Sequence, residues 1–144
     1  MDGVRRSLHR LPCFIAASTI RPRDLEAPLR RILIVDDDED ILQLMSFVLQ
    51  DEGYAVECAR DGWAALHQIS SSTLDLVLLD LMMPGLDGWG VLARLERVPH
   101  PPVVVVSARP DPARALRAGA KGCISKPFLP GELVSTCQQT LGAP

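Results

Sequence analysis

An open α/β sheet of parallel strands, with helices on both faces, is the fold this sequence predicts. Three observations predict it. Short apolar runs alternate five times with helical patterns. The runs that end at Val35, Leu79 and Val106 are continuously apolar, as strands buried on both faces are. The connections between runs are short, and each helical stretch supplies the right-handed crossover that neighbouring parallel strands require.

Arg31-Ile32-Leu33-Ile34-Val35 is rich in β-branched residues and makes the first strand. It runs directly into Asp36-Asp37-Asp38-Glu39-Asp40. Ile41, Leu44, Met45, Val48 and Leu49 then fall at i, i+3, i+4, i+7 and i+8, one apolar face of a helix. Acids in its first turn suit the positive end of the helix dipole, and Gly53 ends it. Residues 54–59 form a second, weaker strand. A second helix runs from 61 to about 70, with Asp61 as its cap. Leu76-Val77-Leu78-Leu79-Asp80 is the third strand, stopped by a carboxylate and followed by a Pro84-Gly85 turn. The third helix, 87 to about 97, is weakened by Gly90. Pro99-His100-Pro101-Pro102 forces an extended linker before the fourth strand, 103–106, which ends at Ser107-Ala108. Asp111 and Pro112 read as a cap and a first-turn proline, and the short helix they open stops at Gly119. Residues 122–125 make the fifth strand, ending at Lys126-Pro127, and the last helix runs from 130 to about 141.

Residues 1–29 show no sustained period and hold Pro12, Pro22 and Pro28 among scattered arginines. They are expected to form a mobile tail, with one folded domain over 30–142. The chain has 144 residues, enough for one real core. Aromatics are only 4% of it, so that core must be aliphatic. Residues 1–31 carry seven arginines and three acids, whereas the rest carries eight basic residues and fifteen acids. An acidic domain gives no support for direct nucleic-acid binding. Cys13, Cys58, Cys123 and Cys137 form no C-x-x-C pair and have no His at ligand spacing, which argues against zinc. Reduced, mostly buried thiols in the cytoplasm are expected. Arg5-Arg6 ahead of 11–17 faintly resembles a signal peptide, but Pro12 interrupts that short apolar run. No run approaches the ~20 apolar residues that span a bilayer, so no membrane role is expected.

In a parallel sheet the ends of four strands deliver Asp36 and Asp37, Asp80, Ser107 and Lys126 to one edge, the edge where such folds build their sites. Three crowded carboxylates repel and need a cation. Mg²⁺, a hard ion that takes oxygen ligands, is the natural choice. Asp80 could then act as a nucleophile toward phosphorus and form an acyl phosphate. Lys126 would pair with the phosphoryl group as a point charge, and Ser107 could donate a hydrogen bond to it.

Ile34-Val35-Asp36-Asp37-Asp38, Leu79-Asp80-Leu81-Met82-Met83-Pro84-Gly85-Leu86-Asp87-Gly88, Val106-Ser107-Ala108, Ala118-Gly119-Ala120 and Lys126-Pro127-Phe128 occur in this order. With them the sequence resembles the response-regulator receiver domain of two-component signalling, over residues 31 to about 141. The resemblance implies a flavodoxin-like sheet in the order 2-1-3-4-5 flanked by five helices. It implies that Asp80 is the phosphoacceptor, that Asp36, Asp37, Asp80 and the backbone carbonyl of Met82 bind Mg²⁺, that Ser107 is the switch hydroxyl and that Lys126 is the charge partner. Pro127 would follow a cis peptide. The phosphoryl donor would be a sensor histidine kinase or a histidine phosphotransfer protein, and the target a downstream protein. The modification adds negative charge and acceptor oxygens and shifts a population between two states.

Two departures from the family pattern bear on output. Cys123 stands where an aromatic usually swings inward on the fifth strand, and the segment from Ser107 to Lys126 is about three residues short. About one turn of the fourth helix is expected to be missing. Met82 and Arg109 occupy positions that tune dephosphorylation in the family. A degenerate receiver that docks partners without phosphorylation is the alternative. A phosphatase of the haloacid dehalogenase type would need a second Asp where Met82 stands. No enzyme activity beyond the chain's own phosphorylation and dephosphorylation is expected. No output domain pattern follows Leu141, which reads as a stand-alone receiver or as a fragment of a longer protein. Asp38, Glu39, Asp40 and Asp87 are read as capping acids, Trp63 and Trp89 as packing residues, and His9, His67 and His100 as surface residues.

Overall fold

The computed structural model describes residues 28–142. The tail expected to be mobile lies, up to residue 27, outside the described residues, as do Cys13 and His9. Five strands and five helices alternate: β1 (Arg31–Val35), α1 (Glu39–Asp51), β2 (Ala55–Ala59), α2 (Gly62–Ser71), β3 (Leu76–Asp80), α3 (Gly88–Leu95), β4 (Val103–Ser107), α4 (Pro112–Arg117), β5 (Gly122–Ser125) and α5 (Pro130–Leu141). All four strand pairings are parallel, in the order β2-β1-β3-β4-β5.

Alternate side chains of the central strands feed two cores. Leu33, Val35, Val77, Leu79, Val103 and Val105 meet Ala65 of α2, Val91, Leu92 and Leu95 of α3, and Ala115 of α4. Ile32, Ile34, Leu76, Leu78, Val104 and Val106 meet Leu42, Met45 and Leu49 of α1 and Leu133 and Cys137 of α5. Every residue of β3 and β4 is buried, which is why their sequences show no polar alternation.

Local signals end the helices where the chemistry demands. Asp38, Asp61, Asp87 and Asp111 cap α1 to α4, accepting backbone N–H groups of Asp40, Ala64, Gly90 and Arg114. Glu132 accepts the Leu129 N–H at 2.7 Å and closes the start of α5. Gly53 and Gly119 sit at φ +97° and +106°, the left-handed conformation that stops α1 and α4 at no steric cost. The Lys126-Pro127 peptide is cis.

Four expectations need correcting. The buried stripe of α1 runs through Leu42, with Leu44 46% exposed, because the helix is rotated so that the Leu42-Met45-Leu49 row faces the sheet. Helix α3 ends at Leu95, and Glu96 and Arg97 lie in a turn. Trp63 is not a packing residue: it is 58% exposed, with the Arg94 guanidinium 4.8 Å from its ring centre. Of the described cysteines only Cys137 is buried; Cys123 is half-buried and Cys58 exposed. Burial pushes the Cys137 thiol up to about 12.

Candidate functional site

The sheet brings the predicted groups together at its carboxyl edge. Val35 pairs with Leu79 and Asp80 with Val106, so Asp36 and Asp80 emerge at one level, with Ser107 one residue and Lys126 two residues further along their strands. Asp36 is held there by its own N–H, which donates to Ala59 O at 3.1 Å. Asp36, Asp80 and Ser107 are the buried polar groups among the described residues, whereas Asp37 is exposed. Oxygens of Asp36, Asp37 and Asp80 lie within 4.8 Å of one another.

Lys126 reaches into this group from the end of β5. Its Nζ donates to Asp36 Oδ2 at 2.7 Å and stands 3.5 Å from Asp80 Oδ1. Its own N–H donates to Ser107 O at 2.9 Å, which ties the β4 and β5 ends together. Burial pulls the Lys126 ammonium down, but Asp36 and Asp80 outweigh it and leave the group above its ordinary value. The lysine therefore stays charged. One ammonium does not balance three carboxylates. Burial, and then the Asp36 charge, push Asp80 up, and Lys126 only partly opposes them. The donor set is all oxygen, acidic and under-compensated, which fits a hard divalent cation.

The remaining contacts orient single atoms. Asp38 N–H donates to Asp36 Oδ1 at 2.9 Å and leaves Oδ2 to the lysine. Met82 N–H donates to Asp80 Oδ1 at 3.3 Å. The Met82 side chain is 59% exposed, so this residue borders the cluster through its backbone. Ser107 Oγ accepts the Arg109 N–H at 3.0 Å.

Sequence reasoning missed the role of Gly88. A Cβ there would overlap the Asp80 carbonyl oxygen and come 2.7 Å from Leu81 Cα. The absent side chain lets α3 start directly against the acceptor strand, where Gly88 N–H donates to Leu81 O at 3.0 Å. A glycine immediately after a capping Asp was the available signal. His67 and His100 are exposed, and neither belongs to the acid cluster, as expected.

A parallel sheet of this strand order, with an acidic pocket and a half-buried lysine at its carboxyl edge, defines a class of signalling module. Residues 32–138 match the response regulator receiver domain family, and the chain belongs to it. It is 38% identical over 116 residues to a transcriptional regulatory protein CpxR homolog of Haemophilus influenzae, a match covering 78% of this chain and 51% of that protein. The chain thus spans about half the length of that curated relative. A CheY-like response regulator receiver domain protein from Methanospirillum hungatei superposes with a TM-score of 0.74 at 32% identity, over 79% of this chain and 94% of that one. The response regulator TrrA of Thermotoga maritima, solved in complex with Mg²⁺-BeF, gives a TM-score of 0.70 at 30% identity, over 78% of this chain and 100% of that one.

Proposed function

We propose that this receiver domain accepts a phosphoryl group on Asp80 and thereby switches its affinity for a downstream protein. The observation that carries the reading is the Lys126 ammonium, lodged between Asp36 and Asp80 in an acidic pocket it cannot neutralise. In the reaction a carboxylate oxygen of Asp80 attacks phosphorus, the phosphorus–nitrogen bond of a phosphohistidine breaks and the imidazole leaves with the electron pair. The donor is a sensor histidine kinase or a histidine phosphotransfer protein.

Asp36, Asp37, Asp80 and the backbone carbonyl of Met82 hold Mg²⁺ in this reading, in line with the Mg²⁺-BeF complex of the Thermotoga relative. When bound, the ion supplies positive charge to the phosphoryl oxygens beside Asp80. Lys126 turns from the carboxylate toward the new phosphoryl oxygens and spreads their charge. Ser107 donates its hydroxyl proton to one of them while Oγ still accepts from Arg109. The chain acts on itself and turns over no separate substrate, so it is not an enzyme in the usual sense. Among the described residues no helix is long and apolar enough to cross a membrane. The free thiols of Cys58, Cys123 and Cys137 support a reducing compartment, the cytoplasm.

Intact-mass measurement after incubation with acetyl phosphate tests this. The expected result is a gain of one phosphoryl group with Mg²⁺, none with EDTA, and none in Asp80→Asn. A docking module that needs no phosphorylation is the competing reading, favoured by the six-residue α4 and by Cys123. Failure of the wild-type protein to gain mass in Mg²⁺ would decide for it.

A further inference from the structure

We infer that Arg114 and Trp89 form a positioning pair that transmits the state of the Asp80 site to α4. The inference rests on the phosphoacceptor reading and names how that site is read out. The Arg114 guanidinium lies 3.8 Å from the centre of the Trp89 ring, in stacking distance for a cation on an aromatic face. Neither residue belongs to the motifs that define the site.

The two residues close a ring of contacts that passes through the acceptor. On one side, α3 is pressed against Asp80 by Gly88, and Trp89 is the next residue, half-buried against the core. On the other side, Ser107 Oγ accepts from Arg109 N–H at the start of the β4–α4 connection. Asp111 in that connection caps α4 by accepting the Arg114 N–H at 3.1 Å. A displacement of Ser107 therefore pulls on the backbone that ends in Arg114, while Trp89 stays fixed to Asp80.

Apart from its packing on β5, little else holds α4 in place. Ala115 is its one buried residue, and Leu116 is 56% exposed. A groove of about 340 Å³ runs between α3 and α4, with Trp89 and Arg114 on its walls. The carboxylate of Asp111 is engaged in the cap, and among the described residues Arg114 makes no salt bridge. The ring of Trp89 is thus its main anchor. The fifth strand offers no aromatic substitute, because the thiol of Cys123 is too small to follow Ser107 inward.

Trp63→Phe leaves Trp89 as the sole tryptophan and serves as the parent for the test. Acetyl phosphate with Mg²⁺ is expected to change Trp89 emission as the mass rises by one phosphoryl group. Arg114→Gln in this parent is expected to keep the mass gain and to cut the emission change roughly fivefold or more. Arg114→Lys is expected to restore part of it. Hydrogen exchange without any phosphodonor gives a second readout: amides of residues 114–118 exchange faster in Arg114→Gln, and those of α3 do not. A full emission change in Arg114→Gln, or unchanged α4 exchange, overturns the inference. A parent that gains no mass defeats the phosphoacceptor reading instead, and the exchange result still judges the stack.

Discussion

Helices α3 and α4 lie on the same face of the sheet and follow the two strands that end at Asp80 and Ser107, yet they are fastened in opposite ways. The first buries Gly88, Val91, Leu92 and Leu95 and touches the acceptor backbone directly. The second is six residues long and buries only Ala115. An isolated helix that short has no stability of its own, so α4 depends on the few contacts it makes. The contrast separates two duties. Chemistry needs its groups held to a fraction of an ångström. A readout needs an element whose two positions differ little in free energy, and such elements come from the low-stability end of a fold.

The largest effect that bears on this contrast is a core deletion. Leu92→Ala in α3 removes a side chain only 2% exposed and is expected to cost about 2–5 kcal/mol in denaturant unfolding. Leu116→Ala in α4, where the side chain is 56% exposed, is expected to stay within about 0.5 kcal/mol. Equal costs would erase the distinction between the helices. Next comes Gly88→Ala. The new methyl has backbone atoms of Asp80 and Leu81 in its way, so α3 must shift, at about 1–3 kcal/mol. Phosphoryl labelling should slow as well, since the shift is felt at the acceptor. Labelling at the wild-type rate would mean that α3 is less tightly tied to Asp80 than its contacts imply.

Asp80→Asn tests the strain that the rigid side carries. Burial and the Asp36 charge raise the folded Asp80 above its ordinary value of 3.8. A carboxyl that keeps its proton more tightly when folded favours the folded state in full below the unfolded value. That favour is lost as pH rises through the raised folded value. In EDTA at neutral pH, Asp80→Asn is therefore expected to raise the thermal midpoint. The gain should shrink toward zero below pH 4, and added Mg²⁺ should narrow it by stabilising the wild type alone. A midpoint difference that does not depend on pH would place the strain elsewhere.

The same division decides what could be read from the sequence. The strands were legible because continuous apolar runs and turn residues mark them locally, and the sheet then carries Asp36, Asp80, Ser107 and Lys126 to one edge by topology alone. The short α4 was legible from Asp111, Pro112 and Gly119. The rotation of α1 was not, because Leu42 and Leu44 both belong to apolar stripes of that helix and only packing against the sheet chooses between them. The exposure of Trp63 and the meeting of Trp89 with Arg114 were hidden for a related reason: each depends on where two helices lie relative to one another. The backbone N–H of Arg109 on Ser107 left no trace either, since any residue but proline could supply it.

The smallest expected effect is at Gly90, and its sign carries the information. Glycine in a helix interior is about 1 kcal/mol worse than alanine, so Gly90→Ala should stabilise α3 if the helix has room. It has little. A Cβ at Gly90 would come 2.5 Å from Leu86 Cδ1 and 3.3 Å from Leu86 Cγ, and Leu86 is itself packed on the core. The end of a leucine can move, which makes the clash cheaper than the one at Gly88, but each movement gives back packing. The two contributions are of similar size, so the net change in unfolding free energy should lie within about 0.5 kcal/mol of zero. A gain near the full propensity difference would show that α3 has slack of the kind α4 has. The acceptor would then be held by β3 alone, and α3 would join the moving part of the switch.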